Sequence, residues 1–231
     1  MIKLVNVNKA YGEKVIFKDL NLEINKGEII GLLAPNAEGK STLLKILGGH
    51  ITFDSGEYFF NGEEFNYNHK ELIGYMSDTP IIPKGWKAIY GLEYYKEYFK
   101  TFNYNKCLEI LKYFKIDIDR KIKTFSKGEN EKYHLALALS IEGSLYIMDE
   151  PLAAIDLIAR EEIIKMILDN FSLDSTIILS SHLVSDIEKM IDRALLLKEG
   201  QIVCNKLVED LRMEGKSVVD LYKEVYGYVQ V

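Results

Sequence analysis

The chain has 231 residues, of which 48% are hydrophobic and 28% charged, and its formal net charge is −6. This balance is ordinary for a globular protein with a sizeable core. An acidic chain argues against general nucleic-acid binding, which usually needs a basic surface. No apolar stretch in the sequence approaches the about 18 residues of a membrane-spanning helix. The two cysteines are far apart and give neither a disulfide framework nor a metal spacing, so a reducing cytosol is expected.

The first third of the chain has the pattern of strands joined by turns. Strands of alternating or continuous apolar residues are predicted over 5–11, 15–24, 28–33 and 57–60. A helix is predicted over 40–47, and Asn61-Gly62 predicts a hairpin turn after the fourth strand. The β-rich start therefore contains one early helix.

The pattern changes between about 82 and 141, where periodic aromatic and charged residues predict a helical subdomain. Strands return over 144–148, 176–180, 194–197 and 201–204. Helices between the first of these predict a parallel α/β sheet. The sequence thus predicts a single domain over 1–231, with a core over about 1–81 and 142–205, the helical subdomain, and short C-terminal helices over about 206–231.

A loop of mainly small residues joins the predicted strand 28–33 to the helix 40–47. Its residues, with the first of the helix, are Ala34, Pro35, Asn36, Ala37, Glu38, Gly39, Lys40, Ser41 and Thr42. A strand, such a loop and Gly-Lys-Ser-Thr opening a helix predict a phosphate-binding loop, in which backbone N–H groups and the helix dipole hold a triphosphate. Lys40 would reach the β- and γ-phosphates, and the Ser41 hydroxyl would ligate Mg²⁺.

Two alanines stand where glycine is commoner in such loops, Ala34 and Ala37. If Ala37 needs a positive φ, its side chain costs roughly 1–2 kcal/mol. If this whole free-energy cost reduced binding, nucleotide affinity would fall about tenfold. We expect a weakened site that still binds.

The apolar strand over 144–148 ends in two acids, Asp149 and Glu150. Burying a carboxylate without a partner is costly, so an acid pair at this strand end indicates a functional role. In a phosphate-loop fold Asp149 would hold Mg²⁺ through water, and Glu150 could polarise the attacking water as a general base. The alternative is an exposed acid pair at a strand end.

Between these motifs lies Phe125–Glu129, followed by a predicted helix over 130–140. A serine and a glycine before a helix can form a second anion site from a hydroxyl, free amides and the helix dipole. The same residues also make an ordinary N-cap. The segment alone leaves both interpretations open.

In this order, the phosphate loop, the Phe125–Glu129 segment and the acid pair resemble the nucleotide-binding domain of ABC transporters. The resemblance covers nearly the whole chain. It implies an α/β fold: a P-loop NTPase core of the ABC ATPase type, with an N-terminal antiparallel β layer and an inserted helical subdomain. It also implies ATP and Mg²⁺ as ligands, and ATP hydrolysis.

The resemblance further assigns roles to single residues. The family's signature segment, which contacts the ATP of a partner chain, matches Ser126, Lys127, Gly128 and Glu129. Tyr11, with Val15 beside it, falls where the family stacks an aromatic ring on adenine. The segment 151–156 matches the D-loop, whose acid Asp156 crosses the dimer interface. His182, after a strand, matches the switch histidine that contacts the γ-phosphate and completes a catalytic set with Lys40 and Glu150.

Three residues depart from the family pattern. Asp78 stands in place of a glutamine; it could still contact Mg²⁺, but the link to a membrane partner would be altered. Lys127 replaces a signature glycine and Glu129 replaces the signature glutamine. A lysine at that place resembles a variant of exporter-type ATPases.

Trp86, Tyr90, Tyr94 and Tyr98 recur every four residues, which predicts one aromatic stripe on a helix. One interpretation is the core of the helical subdomain. The other is a groove that grips a cytoplasmic helix of a membrane subunit, and the two interpretations can hold for different residues.

The family resemblance implies a subunit that binds and hydrolyses ATP and powers transport, with export expected, through a separate integral-membrane permease. A second ABC ATPase chain, identical or paralogous, would complete the motor, and no nucleic acid is expected. The subunit would lie on the cytoplasmic face of the cell membrane. Two alternatives stay open: a degenerate regulatory nucleotide-binding subunit, and a non-transport ABC ATPase.

Overall fold

The computed structural model describes residues 1–79, 81–153 and 155–227, which form strands and helices in alternation. The strands are β1 (Ile2–Tyr11), β2 (Lys14–Ile24), β3 (Ile29–Leu33), β4 (Ser55–Phe60), β5 (Glu63–Glu64), β6 (Ile73–Met76), β7 (Leu145–Asp149), β8 (Thr176–Ser181), β9 (Arg193–Lys198) and β10 (Gln201–Leu207). The α-helices are α1 (Lys40–Leu47), α2 (Ala88–Tyr98), α3 (Tyr104–Tyr113), α4 (Lys127–Leu139), α5 (Leu157–Asp169), α6 (Val184–Ile187), α7 (Val208–Met213) and α8 (Val218–Tyr226). Two short 3₁₀ helices cover Tyr67–Leu72 and Ile122–Thr124.

The N-terminal strands form a four-stranded antiparallel sheet in the order β2-β1-β4-β5. The hairpin between β4 and β5 turns at Asn61 and Gly62, both with positive φ, as the Asn-Gly pair predicts. The antiparallel β layer is therefore confirmed.

The second sheet has six strands in the order β10-β9-β3-β8-β7-β6. Its five strands from β9 to β6 are parallel, and β10 pairs antiparallel at one edge. Every residue of β3, β7 and β8 is buried, as expected for central parallel strands covered on both faces. Because these three strands run in the same direction, the loops at their carboxyl ends meet at one edge. The predicted α/β fold is confirmed.

Two hydrophobic clusters cover the two faces of this sheet. One joins the antiparallel sheet and α1 to side chains of β3, β7 and β9. The other joins the opposite face to α2–α5 and to the C-terminal helices. The phosphate loop thus emerges from a strand that is fixed by packing on both sides.

Helices α2, α3 and α4 all lie between β6 and β7, within the predicted helical region. Helix α4 begins at Lys127 rather than at 130, because Ser126 and Glu129 form a capping box that starts the helix earlier. The division of the chain into a core and a subdomain stays a prediction.

Most of the aromatic stripe faces solvent, while Tyr94 is partly buried against the core. Helix α2 begins after Trp86, and the exposed fractions are 40% for Trp86, 54% for Tyr90 and 66% for Tyr98. Its neighbours Tyr95 and Phe102 are the residues that pack inside. The core interpretation was wrong for Trp86, Tyr90 and Tyr98, because the four-residue spacing follows an outer face, and it holds in part for Tyr94.

The predicted C-terminal helices correspond to α7 and α8. Residues 228–231 of that predicted region, and Ala154 of the predicted D-loop, lie outside the described residues. Across the described ranges, no helix is both long and apolar enough to cross a membrane.

Candidate nucleotide-binding and hydrolysis site

The phosphate loop has a backbone that L-residues rarely adopt at two positions. Gly39, immediately before α1, has φ +101°, and a Cβ there would lie 3.0 Å from Ile16 and 3.2 Å from Phe17. Both the backbone conformation and the close packing therefore require glycine. Ala37 has φ +70°, so the condition for strain at this alanine is met.

An open cavity of about 360 Å³ lies over the loop. Its lining residues are Lys14, Ile16, Asn36, Ala37, Gly39, Lys40, Ser41, Thr42, Asp78 and Glu150. The fold thus brings Asp78 and Glu150 to the loop. Tyr11 and Val15 are exposed and outside this lining, where β2 contributes Lys14 and Ile16 instead. Adenine stacking on Tyr11 stays a prediction.

Lys40 is a buried cation held by the loop itself. Its Nζ donates to the carbonyl oxygens of Ala34, at 2.7 Å, and Pro35, at 3.2 Å. Nζ also lies 3.7 Å from Glu150 Oε1. Burial lowers the pKa of Lys40, whereas the carboxylates of Glu150 and Asp149 oppose that shift. An ammonium group in this position can exchange its carbonyl partners for phosphate oxygens.

Asp149 ends β7 as a buried carboxylate with one free oxygen. Oδ1 accepts a 2.6 Å hydrogen bond from Ser180 Oγ, while the buried Oδ2 has no hydrogen-bond partner in the described part of the chain. Burial raises the pKa of Asp149, and the hydroxyls of Ser180 and Ser41 act in the opposite direction.

An unpartnered carboxylate oxygen near the Ser41 hydroxyl fits Mg²⁺, which takes hard oxygen ligands and usually keeps water and phosphate ligands as well. No cluster of three or more His, Cys, Asp or Glu side chains suited to a metal occurs among the described residues. Asp78 Oδ1 lies 4.0 Å from Lys45 Nζ. A contact between Asp78 and Mg²⁺ stays a prediction.

Glu150 and His182 form a pair at the ends of adjacent strands. His182 Nδ1 lies 2.8 Å from Glu150 Oε2, and the His182 N–H donates to the same oxygen at 3.4 Å. The Glu150 backbone has φ +52°, and its N–H donates to Ser180 Oγ at 2.9 Å. The Glu150 carboxylate therefore lies between Lys40 Nζ and the His182 imidazole, and Glu150 lines the cavity.

The signature segment forms a tight helix start away from this cavity. Glu129 N–H donates to Ser126 Oγ at 3.1 Å, and Ser126 N–H donates to Glu129 Oε2 at 2.7 Å. Arg120 Nη1 donates to Glu129 Oε1 at 2.6 Å and is the main reason that the pKa of Glu129 is lowered. Lys127 and Gly128 do not line the cavity either. Within one chain the two motifs stay apart.

Asp156, the predicted D-loop acid, caps α5. Its Oδ1 accepts a 2.9 Å hydrogen bond from the Ala159 N–H, which is the main cause of its lowered pKa. The interface role of Asp156 stays a prediction.

Sequence reasoning missed two supporting residues. Ser180 bridges Asp149 and Glu150, and its place was available in the pairing of β7 with β8, where Asp149 stands opposite Ser180. Arg120 holds Glu129, but no pattern in the sequence marked a partner nine residues earlier.

The match to known proteins is broad. The family model described as ABC transporter matches residues 17–153. The chain belongs to the ABC transporter family. This ABC cassette is 31% identical over 208 residues to the lantibiotic transport ATP-binding protein SrtF of Streptococcus pyogenes, covering 89% of the chain and 90% of the relative. It is also 28% identical over 240 residues to the linearmycin resistance ATP-binding protein LnrL of Bacillus subtilis, covering 96% of the chain and 74% of the relative.

Solved structures agree on the fold. An ATP-binding subunit of an ABC transporter matches with a TM-score of 0.85 at 22% identity, covering 97% of this chain and 99% of that one. A nucleotide-free ATP-binding cassette matches with a TM-score of 0.80 at 21% identity, covering 100% and 99%. Family and fold together make this ABC cassette an ABC-type ATPase.

Proposed function

We propose that this ATPase powers the export of a peptide or antibiotic-like compound through a separate membrane subunit. The observation that carries the catalytic part is that Lys40 and Glu150 line one cavity and that His182 contacts Glu150. The compound class rests on the relatives, two of which are named for lantibiotic transport and for linearmycin resistance.

ATP would enter with its phosphates over the loop. Lys40 would leave the carbonyls of Ala34 and Pro35 for the β- and γ-phosphate oxygens, and the backbone N–H groups at the start of α1 would hold the rest. Mg²⁺, held by Ser41 and Asp149, would neutralise charge on the same phosphates. Binding thus replaces contacts within the loop by contacts to the nucleotide.

Hydrolysis would then use Glu150. Its carboxylate orients a water molecule and takes the proton as the water oxygen bonds to the γ-phosphorus and the bond to ADP breaks. His182 would hold that carboxylate through the 2.8 Å contact and meet the γ-phosphate. Ser180 would hold Asp149 and Glu150 in their relative positions, since its hydroxyl is hydrogen-bonded to both residues.

A second chain would supply what one cavity lacks. Ser126 and Gly128 of one chain would face the ATP of the other, since they stand away from their own phosphate loop. Leu157 and Ile158 support such a contact, because they follow Asp156 directly and are 69% and 71% exposed. The second chain could be identical or a paralogue.

The exposed aromatic residues would serve the membrane subunit. A groove of about 230 Å³ lies between α2 and β6, and its lining includes His50, Lys70, Tyr75, Tyr94 and Tyr98. A groove with aromatic walls and a polar rim suits an amphipathic helix. Through this groove the ATPase would sit at the inner face of the membrane.

A bacterium lacking this chain tests the proposal. We expect the loss to raise susceptibility to a lantibiotic or related compound, and the unmodified gene to restore resistance. Glu150→Gln should not restore it. Tyr98→Ala should restore less than Tyr113→Ala, which changes an exposed tyrosine at the end of α3 instead. Unchanged susceptibility to every such compound would contradict the export proposal.

A further inference from the structure

One side chain of the phosphate loop points out of the phosphate cradle. Glu38 does not line the cavity; its Oε2 accepts a 2.8 Å hydrogen bond from the N–H of Glu199. Glu199 and Gly200 form the turn between β9 and β10, both with positive φ. The loop is thus tied to the turn that follows its neighbouring strand.

Tyr226, the last residue of α8, makes a second tie beneath the loop. Its hydroxyl lies 3.1 Å from the carbonyl oxygen of Leu33 and 2.8 Å from that of Leu197. Leu33 is the last residue of β3 before the phosphate loop, and Leu197 belongs to the neighbouring β9. One hydroxyl therefore links the ends of the two strands from which the loop and the turn emerge.

The helix that carries Tyr226 is itself anchored at both ends. Lys198 Nζ donates to the carbonyl oxygen of Val225 at 3.0 Å, and Val218 N–H donates to Glu188 Oε1 at 2.7 Å. A capping box between Ser217 and Asp220 starts the helix. Helix α8 is thus docked by hydrogen bonds to the segments around the site, and its residues join the large hydrophobic cluster.

Tyr222 extends this contact towards Glu150. Its ring packs 4.5 Å, between centroids, from that of Tyr226. Burial raises the pKa of Tyr222, and the carboxylates of Glu38 and Glu150 raise it further. Tyr222 is therefore within electrostatic reach of both acids.

We propose that α8 is a positioning element of the nucleotide site, in which Tyr226 and Glu38 hold the phosphate loop from outside the cavity. This tie lies next to the proposed phosphate-binding residues. Leu33, whose carbonyl contacts the Tyr226 hydroxyl, directly precedes Ala34, whose carbonyl accepts a hydrogen bond from Lys40. Docking of α8 stabilises the loop conformation that binds ATP. By thermodynamic linkage, bound ATP stabilises docked α8 by the same free energy. This inference rests on the proposed placement of the ATP phosphates on the loop.

The Tyr226→Phe protein tests the tie, since it keeps the ring and removes the hydroxyl. We expect the ATP Kd and KM to rise roughly threefold to tenfold, the usual range for a lost hydrogen bond. The kcat at saturating ATP should stay within about twofold of the unmodified protein, because the hydroxyl touches no reacting atom. Tyr113→Phe, at the exposed end of α3, is the matched control and should change neither constant.

Two further measurements separate positioning from mere stability. Glu38→Ala should raise KM more than Glu38→Gln, which keeps an oxygen for the Glu199 N–H. Mg-ADP should slow hydrogen exchange of the α8 amides in the unmodified protein, and Tyr226→Phe should reduce that protection.

An unchanged ATP Kd in Tyr226→Phe, with α8 exchange indifferent to nucleotide, would overturn the inference alone. Failure of the unmodified protein to bind ATP would overturn the inference together with the proposed nucleotide site. A lower melting temperature without a KM change would show that the hydroxyl only supports the fold, and it would also overturn the inference.

Discussion

Ala34 and Ala37 occupy the two glycine positions of the phosphate loop in opposite backbone settings. Ala37 has φ +70°, whereas Ala34 is fully buried and is not among the described residues with a positive φ. The same substitution by glycine should therefore have opposite consequences at the two positions. The sequence alone does not show whether either alanine is strained, whereas the backbone φ angles distinguish the two positions.

Ala37→Gly should stabilise the nucleotide-free protein by about 1 kcal/mol, because glycine relieves the left-handed strain and loses part of that gain to chain entropy. Ala34→Gly should destabilise it by roughly 0.4–1 kcal/mol, since it adds chain entropy without relieving strain. Urea unfolding of both variants measures the difference. Shifts of the same sign would contradict the assignment of strain to Ala37.

Glu131, on α4, is a partly buried acid with a pKa of about 7, raised by burial and opposed by Lys127. The folded protein therefore binds its proton more tightly than the unfolded chain does. Its contribution to stability is full below about pH 4.5, the ordinary value, and is lost as the pH rises through about 7.

Glu131→Gln should accordingly stabilise the protein above pH 7 and change little near pH 4.5. Roughly 1 kcal/mol is expected, less than the full shift would give, because the side chain is partly exposed. Glu161→Gln, at an exposed position on α5, is the control and should alter stability little at either pH. Urea unfolding midpoints measured from pH 4.5 to above pH 7 test this prediction. An equal change in stability at the two ends of that pH range would refute it.

At the residue scale, the sequence pointed to Lys40, Ser41, Asp149, Glu150 and His182 because each ends a strand, follows one or opens a helix, and their roles stay proposals. It could not show that Glu38 turns out of the cradle, because one loop position looks like another until the neighbouring turn is placed.

At the scale of elements, α4 follows a residue that caps the helix and is also proposed to bind phosphate. Ser126 caps the helix by accepting from the Glu129 N–H, and its hydroxyl proton stays available to a phosphate. The two interpretations of this segment, N-cap and anion site, are therefore compatible. Glu129 keeps the reciprocal cap bond that a glutamine would make and adds the Arg120 contact.

Ser126→Ala should cost about 1 kcal/mol of stability through the lost cap. It should also lower ATPase activity about tenfold or more, because a hydrogen bond to a charged phosphate is worth roughly 1.5–3 kcal/mol. Asn103→Ala removes the corresponding cap of α3, where Asn103 accepts from the Lys106 N–H. It should cost similar stability and leave turnover intact. Equal turnover in the two variants would argue for a plain cap at Ser126.

Elements were easier to predict than their starts and faces. Helix α1 has the predicted bounds, because the Gly-Lys-Ser-Thr start is specified by chemistry. Helix α4 starts early because of a side-chain cap. The aromatic stripe of α2 could not be assigned to core or surface, since periodicity gives a face but not the direction it points.

At the scale of the whole molecule, the phosphate loop and the predicted signature segment do not share a cavity. Lys40, Ser41 and Glu150 line the cavity over the loop, and His182 contacts Glu150. Ser126 and Gly128 are not in that lining. The fold class was predictable because motif order and strand pattern agree. The pairing of chains was not, since it depends on surfaces that the pattern does not rank. The proposed motor needs a second chain.

The mass in solution of the Glu150→Gln protein, with and without Mg-ATP, tests this claim most directly. Loss of the general base should slow hydrolysis by about 10²–10⁴-fold and so preserve the ATP-bound state. We expect one chain without nucleotide and two chains with Mg-ATP, and Ser126→Ala in the same background should weaken the pair. A protein that binds ATP but keeps the mass of one chain at saturation would contradict a self-paired motor. It would favour a paralogous partner or a regulatory subunit with little turnover.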